Sequence, residues 1–186
     1  TALNANGGTL RDVAGNALAT FTSNPTGTLV IDGIAPTVSS VVASGTGITS
    51  GEGTLKAGSI VTLTVNTSEN VTVTGTPTLS LNSGGTATYA SGSGTSALVF
   101  TYTVGATDSS ADLTVTALNA NGGTLRDAAG NALATFTSNP AGILVIDGIA
   151  PTVSSVVASG TGITSGEGTS GEGTLKAGSI VTLTVN

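Results

Sequence analysis

The chain has 186 residues, of which only 8% are charged, with four basic and ten acidic side chains giving a net charge of −6, and it contains neither cysteine nor histidine. This excludes disulfides, thiolate metal sites and imidazole catalysis. Two lysines and two arginines, scattered along the chain, cannot form the clustered basic surface that phosphate neutralisation requires, so nucleic acid is not an expected partner. No apolar run approaches the roughly 18 residues of a membrane helix, and no membrane insertion is expected of this segment.

The chain opens on text that it later repeats. Thr1 to Thr54 returns at Thr116 to Thr169, an offset of 115 residues, changed only at Val13/Ala128, Thr26/Ala141 and Thr28/Ile143. After a duplication of Ser-Gly-Glu-Gly-Thr in the second copy (Ser165 to Thr169, then Ser170 to Thr174), Thr54 to Asn66 returns unchanged as Thr174 to Asn186. A period of this length suits a domain with its own core, and is several times longer than most solenoid repeats. The expected organisation is the C-terminal part of one repeat over 1–34, a complete repeat over 35–149, and the N-terminal part of the next over 150–186. With no initiator Met, no signal peptide and both ends inside a repeat, a longer covalent array is expected.

Through one repeat, short runs alternate apolar with small polar residues and end at Gly, Pro, Asn or Ser. They predict strands at Val38 to Ala43, Ser59 to Val65, Val71 to Val73, Thr78 to Leu81, Thr86 to Tyr89, Ala97 to Val104, Leu113 to Leu118 and Ile143 to Ile146. In the sixth run Leu98, Phe100, Tyr102 and Val104 share one side, marking a central core strand. The only helix-like text, Arg126 to Ala134, is too short and Gly-interrupted for more than one turn. About eight strands without a helix predict an all-β fold of tandem immunoglobulin-like antiparallel β-sandwich modules with a thin aliphatic core. The duplicated Ser-Gly-Glu-Gly-Thr marks a solvated surface loop, with Glu52, Glu167 and Glu172 as loop charges. The junction is read at Asp32, Gly33 and Pro36, and again at Asp147, Gly148 and Pro151, where proline stiffens the joint.

Three segments resemble the bacterial immunoglobulin-like tandem repeats of giant secreted surface proteins and adhesins. They are the joint Ile146-Asp147-Gly148-Ile149-Ala150-Pro151-Thr152-Val153, the turn Arg126-Asp127-Ala128-Ala129-Gly130-Asn131-Ala132-Leu133 with its copy Arg11 to Leu18, and Asn70 to Leu79. The resemblance implies an extracellular or cell-surface location. It also implies calcium at or near the joint, with Asp12, Asn16, Asp32, Asp127, Asn131 and Asp147 as candidate ligands and Glu69, Asp108 and Asp112 as weaker ones. The alternative for the Asp-x-x-Gly-Asn turn is an Asp side chain that accepts backbone N–H bonds and needs no ion.

No residues are arranged as nucleophile, base and oxyanion hole, so no enzymatic activity is expected, and Asp108 and Asp112 read as solvated turn residues. Recurrent Thr-x-Thr pairs would suit a flat ice-binding face, but threonine favours the solvated side of any strand. Carbohydrate binding would need an exposed aromatic, and Tyr89 is the one candidate. The leading expectation is a structural stalk or shaft repeat, its partners the neighbouring repeats of the same chain. The alternative is a self-assembling filament or sheath with lateral contacts to other copies of the chain, which sparse charge would favour.

Overall fold

The computed structural model describes residues 8–18, 27–163 and 175–186. All regular structure among them is β: β1 (Val38–Ser44), β2 (Gly53–Leu55), β3 (Ile60–Thr74), β4 (Thr78–Leu81), β5 (Thr86–Ser91), β6 (Thr95–Thr103), β7 (Ser109–Ser110), β8 (Val115–Asn119), β9 (Thr124–Arg126), β10 (Leu144–Asp147), β11 (Val156–Ser159) and β12 (Thr182–Val185). The largest sheet runs β1-β3-β6-β5-β4-β8, with β9 added to the far half of β3. A small sheet runs β2-β10-β7, in which β2 and β10 are parallel, and β11 pairs antiparallel with β12.

Strict alternation explains why β3 and β6 form the centre. Val61, Leu63 and Val65 of β3 are buried, as are Leu98, Phe100 and Tyr102 of β6, while the threonines between them face outward. Val61 lies opposite Tyr102, Leu63 opposite Phe100 and Val65 opposite Leu98, so apolar side chains meet across the pair. Each such side chain, fully removed from water, contributes about 1.5–3 kcal/mol. The same buried cluster takes in Leu79 of β4, Leu125 of β9, Leu55 of β2 and Ile146 of β10, so one core joins the large and small sheets.

The runs predicted at Ser59 to Val65 and Val71 to Val73 are one strand. β3 carries a bulge, with Asn66 paired to Ala97 but Val71 to Thr95, so five residues of β3 span two of β6. Alternation breaks at a bulge, and the sequence therefore reads as two strands. β2, β7 and β9 are too short to show a period. Arg126 to Ala134 forms a turn, closed by a bridge between Arg126 and Ala132.

Two readings are corrected. Asp108 is not a solvated turn residue: it is 9% exposed, and its Oδ2 accepts hydrogen bonds from the Tyr102 hydroxyl at 2.6 Å and the Gly105 N–H at 2.9 Å. Ser83 Oγ lies 3.1 Å from the same hydroxyl, so a buried polar group that the sequence cannot pair finds its partners through the fold. Tyr89 is not a free aromatic. It is half-buried and packs edge-on against Phe100, ring centres 5.6 Å apart.

The register sets where the chain enters and leaves this body. Val38, at the start of β1, lies opposite Thr67, whereas Thr103, before the Gly105 to Asp108 loop that holds the end of β10, lies opposite Ile60. Seven residue steps of β3 separate the two ends, roughly 23 Å at about 3.3 Å per residue.

Candidate functional site

The bulge of β3 and the turn after β9 come together at the incoming end. β9 pairs with the far half of β3, Arg126 opposite Thr72, so the next residue, Asp127, falls beside the bulge that carries Glu69. Thr67, in the bulge, is buried and its hydroxyl donates to the Glu69 carbonyl at 2.6 Å, fixing the loop from inside. The incoming chain completes the group. Carboxylate oxygens of Asp32, Glu69 and Asp127 all lie within 4.8 Å of one another.

Asp127 and Asn131 form the turn as a closed unit. Asp127 Oδ1 accepts the Asn131 backbone N–H at 2.8 Å and Oδ2 accepts the Asn131 side-chain amide at 2.8 Å. Arg126 closes the outer side through a 2.5 Å bond from Nη1 to the Gly130 carbonyl. Asp12, Asn16 and Arg11 repeat the pattern in the other copy, at 2.8 and 2.9 Å for the Asp–Asn pair and 2.7 Å for Arg11 to the Gly15 carbonyl. The turn therefore forms from its own residues, as the ion-free alternative expects. At Asn131 the same amide reaches further, donating to the backbone carbonyls of Asp32 at 3.2 Å and Ile34 at 3.3 Å.

The electrostatics of the two acidic side chains differ in sign. Partial burial, reinforced by the charges of Asp127 and Asp32, holds the Glu69 carboxyl above its ordinary range. Burial also pushes Asp127 upward, but the hydrogen bonds from Asn131, Gly130 and Ala129 outweigh it and leave the carboxyl below its ordinary range. Asp12, bonded to Asn16 in the same way, is likewise lowered.

Of the candidate ligands, the structure brings together Asp32, Asp127 and the weaker candidate Glu69, with Asn131 contributing its donor side. Asp12 and Asn16 sit in their own exposed turn, and Asp147 in the outgoing joint, where its Oδ1 accepts the Ile149 N–H at 3.3 Å. Asp112 braces a loop, accepting from Asn139 Nδ2 and the Leu144 N–H. Asp32 and Asp127 are 95 positions apart, and no spacing rule could have joined them. Compared with protein-family models, curated protein sequences and solved structures, the chain finds no match.

Proposed function

We propose that this chain is a structural stalk or shaft segment, built of tandem immunoglobulin-like sandwich repeats, of a long extracellular bacterial surface protein. The observation that carries the reading is the placement of the incoming and outgoing ends roughly 23 Å apart along β3 at about 3.3 Å per residue. A unit entered at one end and left at the other adds length with each copy. The partial repeats support it from a second side. Ile31 is 90% exposed where its counterpart Ile146 is 1% exposed, and Val181 is 42% exposed where Val61 is fully buried. The surfaces left open are those that a complete repeat covers.

Calcium at the joint is the second element of the proposal. Asp32, Glu69 and Asp127 each bring one carboxylate oxygen to the same point, three of the six to eight oxygen ligands that a hard cation takes, and their mutual repulsion gives a divalent ion something to neutralise. Bound there, it would tie the incoming linker to the body of the repeat. Small-angle scattering on arrays of increasing repeat number tests the stalk: a thin rod lengthening by a constant increment, independent of concentration, is expected. Laterally ordered fibres would instead favour the filament alternative. Melting with and without a chelator tests the ion, and an unchanged midpoint removes calcium from the account.

A further inference from the structure

The same linker sequence occurs twice in this chain, once entering the complete repeat and once leaving it, so both of its surroundings are visible. On leaving, the glycine is held. Gly148 is buried, its N–H donates to the Asp108 carbonyl at 2.8 Å, and a Cβ placed on it would lie 2.0 Å from the Gly105 carbonyl oxygen. The Asp108 that does this is itself locked by Tyr102 and Gly105. On entering, other atoms of the motif are held. Asn131 Nδ2 donates to the carbonyls of Asp32 and Ile34, and Pro36 is buried, whereas a Cβ on Gly33 would meet nothing within 4 Å. Pro151, on the leaving side, is exposed.

The two grips use different groups, and both copies of the linker share one local fold. In each, the aspartate Oδ1 accepts the N–H two residues on, at 3.0 Å for Asp32 and 3.3 Å for Asp147. From this we infer that every Asp-Gly-Ile-Ala-Pro linker is a two-sided clamp. The repeat before it seats the glycine, and the repeat after it seats the aspartate and isoleucine carbonyls and the proline. Only the Ile-Ala pair lies between the two buried positions, and its isoleucine carbonyl is already bonded to Asn131. No free spacer is left, so consecutive repeats hold one relative orientation. This rests on the stalk reading and goes beyond it, because a stalk could equally be a flexible tether.

One glycine in one motif should then respond differently in its two positions. Gly33→Ala is expected to leave the thermal midpoint of the full chain unchanged, while Gly148→Ala lowers it and releases the Gly148 to Ala150 amides in nitrogen-15 relaxation. Asn131→Ala should release Gly33 and Ile34 while core amides such as Leu63 and Phe100 stay protected. Equal responses of the two glycines, or Gly33 and Ile34 already as mobile in the parent chain as in Asn131→Ala, would overturn the clamp without any variant needing to unfold. The chain extended after Asn186 by its own Thr67 to Gly148 sequence tests the orientation. Spin labels at Thr88→Cys and at its counterpart in the added repeat should give one narrow distance, lost when the added repeat's equivalent of Asn131 is changed to Ala. A broad distribution in a monomeric parent overturns the clamp and leaves the stalk standing. Lateral fibres would sink the stalk, while diluted chains would still report the joint.

Discussion

Glu69, Asp127 and Tyr102 are side chains whose protonation the fold visibly controls. Glu69 holds its proton more tightly in the folded state, so its contribution is fully present below its ordinary value of 4.5 and is lost as pH rises through the raised folded value. Asp127 has the opposite sign: its contribution is present above 3.8 and is lost as pH falls through its lowered value. In chelator, these two groups should therefore together favour the folded joint most between 3.8 and 4.5. Glu69→Gln removes a repelling charge, and at neutral pH in chelator it should raise the midpoint by about 2 °C. Under the proposed calcium site the same change removes a ligand, so in calcium it should lower the midpoint. Thermal melts in both conditions decide it, and a shift of the same sign in both would remove Glu69 from any ion site. At Tyr102, burial and then the bond to Asp108 push the phenol up to about 12. Stability held by that proton is complete below pH 10 and is lost as pH rises towards 12. Tyr102→Phe leaves Asp108 and Ser83 each short of a partner and should cost about 1–3 kcal/mol. The difference in tyrosinate absorbance between parent and variant should rise only near the upper end of that range.

At the scale of elements, the turn between β1 and β2 gives a sharper test than its sequence suggested. Thr49 and Glu52 exchange N–H to carbonyl bonds, both at 2.9 Å, around Ser50 and Gly51, which have φ of 53° and 83°. Two consecutive positive φ values are the mark of a tight two-residue turn, which a serine fits at some cost. Ser50 and Glu52 are exposed, in keeping with a surface loop, yet a Cβ on Gly51 would lie 2.0 Å from the Ala141 carbonyl oxygen. Ser50→Gly is expected to stabilise by about 1 kcal/mol, and Gly51→Ala to destabilise by about 1–3 kcal/mol, in denaturant titrations. Equal tolerance of both changes would mean that the turn is not held against the 141–142 loop. The duplicated copy of this segment, with Glu167 and Glu172, lies outside the described residues. Long alternating runs were legible because each second side chain is buried: Thr78 to Leu81 matches β4 at both ends, and the Leu98 to Val104 face is the core. Three-residue strands carry no period and were missed. The site was half legible, since the Asp-x-x-Gly-Asn turn is local, but its meeting with Asp32 depends on a bulge and a pairing between segments far apart in sequence.

For the whole molecule, sparse charge places nearly all of the stability in apolar burial, and the identical segments make that burial measurable. β12 repeats the first half of β3, yet its Leu183 is 65% exposed and Val185 61% exposed, where Leu63 is fully buried and Val65 is 1% exposed. Sequence and local hairpin pairing are thus the same in both places, and what differs is the rest of the core. Extending the chain by its own Thr67 to Gly148 sequence should supply that core, burying Val181, Leu183 and Val185 at about 1.5–3 kcal/mol each. Amide exchange in β12 should then slow at least a hundredfold, equivalent to roughly 3 kcal/mol, and binding of a hydrophobic dye should fall. An extension of the same composition in scrambled order should do neither. If β12 stayed open beside the native extension, the two copies of this strand would not be equivalent parts of one repeating unit, and the array itself, not only its joints, would have to be abandoned.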